Sequence, residues 1–343
     1  MSTPMTAEQI ARHVVAEAVW APSVNNTQPW RFVVGPDHIS LRADPERRFD
    51  VVDPDGREMM ISCGAALFTA RLALRSLGYL PQARVLPDPG DPMLVARLSW
   101  PGRAAASSFE HRLFSQVRRR RTHRGAFDPE PLPQGLLAAL RGEAAEDGAT
   151  LRIVADDGRR AALAAAVQSA ERSAELDSRR VRELARWTPA PGSACTDGVP
   201  ATAYPARPER TDPYFPGRDF ARGRGWGLAA LAAAPAVRAT GVVGLLTTTA
   251  DRPVDWVSAG QALQRVLLVA TAYGAAVALH SQPMELPGLR ELIRTELSDA
   301  AYPHLVLRIG MVTQVAVSVR RKPADVLSSS SGDGGDHARP GHG

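Results

Sequence analysis

Several stretches of the chain repeat apolar residues every three or four positions, which is the spacing of one helical face. This pattern predicts a helix over residues 6–20 and a second helix over residues 64–77, with Gly78 as its stop. An Ala/Glu/Arg-rich stretch over residues 161–186 predicts a long helix with one solvated face, and residues 133–140 predict a shorter helix. The chain is therefore expected to contain both buried and surface helices.

Short apolar runs between turn residues predict β-strands. Residues 30–34 follow a loop over residues 22–29 and stop at a Gly-Pro pair, and residues 95–98 form a second run. A third run, residues 306–309, lies near the end of the chain. Helices and strands are therefore interleaved along the sequence.

The helix over residues 64–77 has a counterpart later in the chain. The sequence Gly-Ala-Ala-Leu that starts at residue 64 recurs as Gly-Gln-Ala-Leu from residue 260, a shift of 196, and a glycine follows each start fourteen residues on. Each helix precedes a strand with a central arginine, Arg97 or Arg308, and the second copy carries an extra short helix over residues 286–297. This order favours internal duplication; the alternative is two unrelated core helices in Ala/Leu-rich sequence.

The composition changes over residues 187–227, which are rich in Pro, Gly, Arg and Asp. About 40 residues without regular structure inside a compact domain form a lid, a binding loop or a disordered segment. Disordered segments are poor in aromatic residues, and this stretch contains six: Trp187, Tyr204, Tyr214, Phe215, Phe220 and Trp226. A lid that packs on another surface is therefore favoured. The Ser/Gly-rich stretch over residues 328–343 is expected to be a disordered tail.

The composition is that of an ordinary globular protein, with 44% apolar and 22% charged residues in a chain of 343. The net charge is only +5 and acidic residues are interspersed with basic ones, so nucleic-acid binding is not indicated. Of the 41 lysines and arginines, a single one, Lys322, is a lysine. A phosphate loop of the G-x-x-x-x-G-K-[ST] type is thereby excluded, and any bound anion must be met by arginine or by backbone N–H groups.

Targeting and metal-binding patterns are not found in the sequence. The two cysteines have no histidine at metal-ligand spacing, and the first ten residues lack the charged-then-apolar order of a signal peptide. The longest apolar stretch, residues 259–279, contains Gln261, Gln264 and Arg265, which indicates a buried helix and not a membrane span. We therefore expect a cytoplasmic protein with no membrane partner and no metal.

Three polar clusters are candidates for chemistry. Residues 21–30 combine Pro, Ser, Asn, Thr and Gln beside Trp30, which is typical of a turn but also offers amides and hydroxyls to a polar heteroaromatic ring. Residues 118–124 form an arginine-dense turn ahead of a helix, either a solvated face or a place for a dianionic phosphate. Residues 320–322 form a third cationic cluster that allows the same two interpretations.

Together these clusters resemble the nitroreductase superfamily and, within it, the Acg-like group of proteins. The P-S-x-x-N-x-Q-P-W loop of the family is matched by residues 22–30, and its R-R-[ST]-x-R turn by residues 120–124. The Acg-like group adds three further motifs: D-G-V-P, matched at residues 197–200, R-D-F at residues 218–220, and D-W-x-x-A-G-Q-A-L at residues 255–263. The resemblance covers about residues 6–327 and depends on the combination of motifs.

The resemblance implies an α+β, nitroreductase-like fold, in which two fused halves form an intramolecular pseudo-dimer of central mixed β-sheets flanked by helices. Residues 1–115 would be the first half and residues 116–327 the second, with the lid over residues 187–227 inserted in it. The motif loop lies in the first half and the arginine turn in the second, and reciprocal copies of both are missing. One flavin site per chain is therefore implied, while a monomer and a further dimer are both left open.

The resemblance also implies FMN as cofactor and assigns its contacts. Arg120, Thr122 and Arg124 would hold the phosphate and ribityl chain, with Arg320 and Arg321 completing the phosphate pocket. From the other half, the motif loop would contact the flavin through Pro22, Ser23, Val24, Asn26 and Gln28. The segment after the repeated helix would line the isoalloxazine edge near N5 through Gln282, Pro283, Met284 and Glu285. Two positions depart from the family pattern, Asn25 where His is expected and Val319 where Pro is common.

The activity that follows is that of a flavin-dependent oxidoreductase, an NAD(P)H nitroreductase. Hydride would pass from NAD(P)H through flavin N5 to an electron-poor small molecule of nitroaromatic or quinone type. Since the flavin carries this chemistry, no catalytic side chain is assigned, which fits the lack of a Ser/His/Asp or paired-carboxylate motif. The alternative is a protein that binds and sequesters FMN under its lid, with little or no turnover.

Overall fold

Two five-stranded β-sheets and a central pair of long helices form the framework of the protein. The computed structural model describes residues 5–190, 192–220, 238–313 and 317–329. The helices are α1 (Ala7–Ala18), α2 (Arg57–Ser76), α3 (Ser108–Phe114), α4 (Leu136–Ala145), α5 (Asp157–Leu176), α6 (Ser178–Ala185), α7 (Pro253–Ala272) and α8 (Pro287–Glu296). The strands are β1 (Trp30–Val34), β2 (His38–Ala43), β3 (Tyr79–Val85), β4 (Leu94–Arg103), β5 (Thr122–His123), β6 (Thr150–Ile153), β7 (Val242–Thr248), β8 (Ala275–His280), β9 (Tyr302–Met311) and β10 (Leu327–Ser329).

Four strands of each sheet follow the same order. The first runs β10-β1-β2-β4-β3 and the second β5-β8-β9-β7-β6, so β1, β2, β4 and β3 of the first correspond to β6, β7, β9 and β8 of the second. These four-strand sets are antiparallel throughout, and the extra edge strands β10 and β5 pair in parallel. We call β1–β4 with α2 the first unit, and β6–β9 with α7 the second unit.

Helices α2 and α7 cross at two glycines at the centre of the molecule. Their bounds differ by the same 196 residues that separate the two sequence copies. A Cβ on Gly64 would lie 2.2 Å from the Val257 carbonyl oxygen, and a Cβ on Gly260 would lie 2.0 Å from the Ile61 carbonyl oxygen. Only glycine allows backbones to approach this closely, so the equivalent glycines bring the two units together.

Helix α2 begins seven residues before the predicted start. The Asp53 carboxylate accepts from the N–H groups of Glu58 and Met59, at 3.0 and 2.9 Å, and so caps the first turn. The predicted stop is confirmed, because Gly78 has a φ of 78° directly after the helix. The early start places Glu58 in the buried part of the helix.

The prediction of one helix over residues 161–186 is wrong. Helix α5 ends at Leu176, and Asp177 has an extended backbone and accepts from the N–H of Arg179 at 2.8 Å, which starts α6. The helix predicted over residues 133–140 begins later, at Leu136, because Gly135 before it has a φ of 78°. The short helix expected over residues 286–297 is confirmed as α8.

Two further expectations need correction. In the first sheet Gln82 pairs with Ser99, and in the second sheet Ala278, which lies 196 residues after Gln82, pairs with Arg308. The residue of β4 that corresponds to Arg308 is therefore Ser99, and the predicted counterpart Arg97 is wrong. Residues 328 and 329 of the predicted tail belong to β10, which adds to the first sheet beside β1, while residues 330–343 lie outside the described residues. The end of the second predicted half therefore completes the sheet of the first unit.

The described part of the predicted lid is irregular but packed on both units. We call residues 187–190 and 192–220 the lid; residues 221–227 lie outside the described residues. Trp187 packs edge-on against Phe49, with 6.1 Å between ring centroids, and the Phe215 ring lies 5.6 Å from the His280 ring. In the part of the chain that the structure describes, no helix is long and apolar enough to cross a membrane.

Candidate functional site

The loop between α1 and β1 has an unusual backbone. Asn25, Asn26 and Gln28 all have positive φ, at 42°, 57° and 52°. Asparagine tolerates this left-handed conformation better than most residues, which explains the two consecutive asparagines. The strain is stabilised by side chains, because Ser62 Oγ accepts from the Val24 N–H at 3.1 Å and Ser23 Oγ from the Gln28 N–H at 2.9 Å. The loop is thus held rigidly against α2.

The arginine turn leads into β5 and places Arg120 in the interior. Arg120 is 1% exposed, and its guanidinium donates to the Trp20 carbonyl at 3.2 Å and to Thr122 Oγ1 at 3.4 Å. Its Nε is buried and has no partner among the described residues. A buried guanidinium with neutral partners only is costly in the absence of a compensating charge.

Three more guanidiniums lie near Arg120. Arg320 donates to Asn26 Oδ1 at 3.0 Å, Arg124 to the Ala203 carbonyl at 3.2 Å, and Arg121 stacks 5.1 Å from the Trp20 ring. We call Arg120, Arg121, Arg124 and Arg320 the arginine cluster. Within the described ranges, none of the four forms an ion pair, whereas the neighbouring Arg118 pairs with Glu17 at 2.7 Å.

Electrostatics confirm that the arginine cluster is uncompensated. Burial, followed by repulsion from Arg121 and Arg124, lowers the pKa of Arg120 to about 9, and burial lowers the pKa of Arg124 to about 10. Burial and the charge of Arg120 also lower the pKa of Arg320. Because arginine stays protonated in proteins, the arginine cluster is a concentration of positive charge that favours an anion.

Two connected cavities lie between the motif loop and the arginine turn. The smaller lies against the arginine cluster and is lined by Asn26, Arg124, Gly198, Ser318 and Arg320, among others. The larger has a mostly apolar lining that includes Val24, Ile61, Leu263, Ala278 and Leu279, and it spans about 900 Å³ together with the open space at its mouth. Pro22, Ser23, Thr122 and Arg124 line both, so the two form one continuous site.

A buried ionic wall closes the larger cavity on the lid side. Arg218 of the lid forms an ion pair with Glu285, which follows β8, and Ser281 Oγ lies 3.0 Å from Glu285 Oε1. Both ionic side chains are under one tenth exposed. Two charged groups cannot remain buried without each other, so the lid is anchored at the cavity wall by this pair.

Comparison with curated proteins finds mycobacterial relatives. "Putative NAD(P)H nitroreductase Rv3131" of Mycobacterium tuberculosis (strain ATCC 25618 / H37Rv) is 36% identical over 316 residues, covering 90% of this chain and 87% of that protein. The chain belongs to the nitroreductase superfamily. "Putative NAD(P)H nitroreductase acg" of the same strain is 28% identical over 339 residues, covering 95% and 97% of the two chains. The chain is thus similar over most of its length to two proteins of this name, one of which is acg itself.

Solved nitroreductase structures are more distant. The FMN-dependent nitroreductase NfnB from Mycobacterium smegmatis, in complex with NADPH, is 16% identical, covers 62% of this chain and 95% of its own, and has a TM-score of 0.36. A nitroreductase with bound FMN from Bacteroides fragilis is 12% identical, covers 61% and 92%, and has a TM-score of 0.34. No family model matches the chain. The assignment to the nitroreductases therefore rests on the curated relatives.

Most of the residues that the nitroreductase motifs predict for the site converge on the two cavities. The residues that line one or both cavities are Pro22, Ser23, Val24, Asn26, Thr122, Arg124, Gln282 and Arg320. Arg120, Pro283, Met284 and Glu285 are buried and line neither cavity, and Glu285 accepts from Arg218, which lines the larger one.

Gln28 and Arg321 also line neither cavity. Gln28 is fully buried, donates to the Thr196 carbonyl at 2.9 Å and accepts from the Arg321 N–H at 2.8 Å, so it connects three segments of the chain. The Arg321 guanidinium donates to the Asp325 carbonyl at 2.7 Å, on the far side of the motif loop. Both positions support the loop from outside the cavities.

The larger cavity also contains charged and titratable residues that the motifs did not assign to the site, among them Glu58, Arg218, His280 and Arg308. Arg218 stands in the R-D-F motif of the Acg-like group, which was a usable signal. Arg308 donates to His280 Nε2 at 3.0 Å, and burial together with the Arg308 charge lowers the pKa of His280 well below its usual value. Glu58 has no local sequence signal: its ion-pair partner Arg57 is adjacent in the chain, but the cavity that it lines is formed with distant segments.

Proposed function

We propose that this protein binds one FMN across the two cavities and acts as an NAD(P)H-dependent flavin oxidoreductase. The acceptor would be an electron-poor small molecule of nitroaromatic or quinone type. The observation that carries the proposal is the arginine cluster without carboxylates, placed at one end of a mostly apolar cavity. A phosphate joined to a flat heteroaromatic ring complements both features.

The phosphate of FMN would complement the positive charge of the arginine cluster and would accept hydrogen bonds from donors that have no other partner. The buried Nε atoms of Arg120 and Arg320 have no partner among the described residues. A phosphate dianion accepts several charge-assisted hydrogen bonds, each worth about 1.5–3 kcal/mol. Its charge would offset the repulsion that lowers the pKa values of Arg120 and Arg320.

The ring end fits the larger cavity in chemistry. Ligand sites are mostly apolar with a few polar groups that orient the ligand, and this lining has that character. Ile61, Leu263 and Ala278 offer apolar surface to the ring faces, while Ser23 and Gln282 offer polar atoms to its edge. Bound FMN supplies reversible two-electron transfer.

The residues of the chain would position the ring and restrict water. The motif loop is held by Ser62 and by its own side chains, so its geometry does not depend on a ligand. Arg218 and Phe220 of the lid line the larger cavity and cover its lid side. The relatives' printed name, NAD(P)H nitroreductase, supports a nicotinamide as electron donor.

Anaerobic absorbance spectroscopy tests the oxidoreductase proposal. The FMN-loaded protein is mixed with NADH or NADPH, and the flavin band near about 450 nm is followed. We expect bleaching by at least one nicotinamide, followed by recovery of the band on addition of a quinone. Bleaching by dithionite but by neither nicotinamide would contradict the proposal.

A second candidate function is sequestration of FMN. This function is favoured by contacts at both ends of the lid. Just before the lid, Glu183 in α6 accepts from the N–H groups of Val51 and Val52. Near its end, Arg218 is ion-paired with Glu285. A lid held in this way could close the site to acceptors. This function predicts tight FMN binding with no bleaching by either nicotinamide, in the same experiment.

We also propose that the two units are fused nitroreductase-like halves, residues 1–115 and 116–327. The shared strand order, the equal helix bounds and the glycine contact support this division. The β10 strand would then be an exchange of a chain end between halves. One FMN per chain follows, since the arginine cluster and the motif loop each occur once.

A further inference from the structure

Glu58 is a buried carboxyl group that faces the larger cavity. It lies in the first turn of α2, is 4% exposed, and lines the cavity beside Ile61 and Ser62. Arg57 Nη2 donates to Glu58 Oε1 at 3.1 Å. Glu58 Oε2 is buried and has no partner among the described residues. One oxygen of this cavity-lining carboxyl group therefore has no partner among the described residues that would compete with a proton.

Buried groups of both charges lie around Glu58. Buried carboxyls come from four elements: Asp53 before α2, Glu58 in α2, Glu171 in α5 and Glu285 after β8. The buried guanidiniums nearby are Arg57 in α2, Arg180 in α6, Arg218 in the lid and Arg308 in β9, of which Arg218 and Arg308 line the larger cavity. The charges of Glu285 and Asp53 disfavour the ionised form of Glu58, while those of Arg57 and Arg218 favour it. Burial and repulsion from Glu285 raise the pKa of Glu58 to about 8.

The other carboxyls are less suited to carry this proton into the cavity. Both oxygens of Asp53 accept from backbone N–H groups at the start of α2. Glu285 is ion-paired with Arg218 and Arg180. Glu171 accepts from the Asp219 N–H at 2.8 Å and is not part of the cavity lining. Among the described lining residues, Glu58 is the carboxyl that faces the site.

The histidines of the cavity do not compete for this role. Burial lowers the pKa of His304 to about 3, and its Nε2 lies 2.7 Å from Thr248 Oγ1. The pKa of His280 is lowered by burial, and its Nε2 accepts from Arg308. Burial also lowers the pKa of His123, whose Nε2 lies 2.7 Å from the Ala126 carbonyl. All three rings are neutral near pH 7.

We propose that Glu58 is the proton donor to the acceptor molecule, an inference that rests on the proposed oxidoreductase function. A quinone takes up one hydride equivalent and one proton to give a hydroquinone; a nitro group takes up the same pair to give a nitroso group and water. The hydride equivalent comes from NAD(P)H and the proton from the Glu58 carboxyl. Glu58 is left as a carboxylate beside Arg57 and regains its proton from solvent.

Stopped-flow reoxidation tests the role in the reaction. FMN-loaded protein is reduced with dithionite, which avoids any dependence on nicotinamide, and mixed with duroquinone. Wild-type reoxidation is expected to slow as the pH rises through about 8. Glu58→Gln is expected to be slower by about 10²-fold near neutral pH and to lose this pH dependence. Glu58→Asp, which keeps a carboxyl group, should recover part of the rate.

Glu175→Gln is the matched control, because it replaces an exposed glutamate of α5 that lies outside the cavity lining. We expect its reoxidation rate to stay within about twofold of the wild-type rate and to fall over the same pH range, because loss of a general acid would slow the reaction by about 10²-fold or more. Equal rates for Glu58→Gln and wild type would overturn the proposal while leaving the proposed function intact. A wild-type protein that duroquinone does not reoxidise would contradict the proposed function itself.

Infrared spectroscopy of the protein without flavin gives a readout that does not depend on turnover. Burial raises the pKa of Asp53 to about 6, that of Glu171 to about 7 and that of Glu58 to about 8. In wild type and Glu175→Gln, the last component of the carbonyl stretch of protonated carboxylic acids to disappear as the pH rises should therefore be that of Glu58. This last component should be missing in Glu58→Gln and shifted in its midpoint in Glu58→Asp. A band that is unchanged in Glu58→Gln would assign the proton to another group and overturn the proposal.

Discussion

The first and second units share a framework but differ in the chemistry placed on it. At the helix crossing they are equivalent: Gly64 and Gly260 stand at corresponding positions and each contacts the backbone of the other helix. At the first turn of the same helices they diverge. Glu58 is 4% exposed and faces the cavity, whereas its counterpart in α7, Val254, is 37% exposed.

The same divergence is found in the sheets. Arg308 in β9 is buried at the cavity, and the residue at the corresponding register position in β4 is Ser99. The glycines of the helix crossing are thus alike in both units, while each of the two charged residues occurs in one unit and not at the corresponding position of the other. Glu58 lies in the first unit and Arg308 in the second. A duplicated framework can therefore carry a single site, because packing and chemistry depend on different residues.

The largest expected effect comes from breaking the shared contact. Gly64→Ala and Gly260→Ala each place a Cβ within 2.2 Å of a backbone oxygen of the other helix, so each should lower the free energy of unfolding by about 3 kcal/mol or more. Urea unfolding followed by circular dichroism measures this. Gly142→Ala in α4 is the control, since a Cβ there meets nothing within 4 Å and favours the helix. Unequal effects at the two glycines would argue against equivalent units.

The next effect separates the arginine cluster from the solvated arginines beside it. Arg120→Ala removes a buried donor to the proposed phosphate and should weaken FMN binding by about 10–100-fold, as expected for loss of about 1.5–3 kcal/mol. Arg119→Ala, its exposed neighbour, is the control and should leave affinity unchanged. Fluorescence quenching of FMN on titration gives both values. Similar affinities for the two variants would remove the arginine cluster from the site.

A smaller effect compares Glu58 with Val254 through the pH dependence of stability. The pKa of Glu58 is raised to about 8 in the folded protein, above the usual value of a glutamate. The folded state therefore binds more protons in this range, and stability falls as the pH rises from about 5 to about 8, at up to about 1.4 kcal/mol per pH unit. Glu58→Gln should flatten this slope and Val254→Gln should not. Chemical denaturation at several pH values measures it, and an unchanged slope in Glu58→Gln would contradict the assignment.

The smallest effect is expected at Arg321. Its guanidinium binds backbone carbonyls of Gln28 and Asp325 and lines neither cavity, so Arg321→Ala should change FMN affinity by about twofold at most, the range of surface substitutions. Arg320→Ala, one residue away, should weaken binding as Arg120→Ala does. The same fluorescence titration compares them. A large loss in Arg321→Ala would place it in the phosphate site.

The sequence predicted the parts of the site that are local in the chain. The motif loop and the arginine turn each carry their residues within a few positions, and their close approach followed from the resemblance to the nitroreductases. The repeated helices were recognisable because Gly64 and Gly260 keep a constant offset. What the sequence did not show depends on contacts between distant segments.

Glu58 is the clearest example of such a contact. Besides its neighbours Arg57 and Asp53, its environment includes Glu285 and Arg218, more than 150 residues away, and no local pattern marks a position that lies beside them. The break between α5 and α6 depended on the Asp177 side chain binding backbone N–H groups, which an Ala/Glu/Arg-rich pattern hides. The pairing of β10 with β1 is likewise a tertiary event, since a Ser-rich segment forms a strand only where an edge is available.

The stoichiometry of FMN binding tests the single-site account most directly. Protein freed of flavin is titrated with FMN by isothermal calorimetry and the bound flavin is counted by absorbance against protein concentration. We expect one FMN to bind per chain, and none to bind at the same concentrations when Arg120 and Arg320 are both replaced by alanine. Two FMN per chain, or one that the double variant retains, would contradict it.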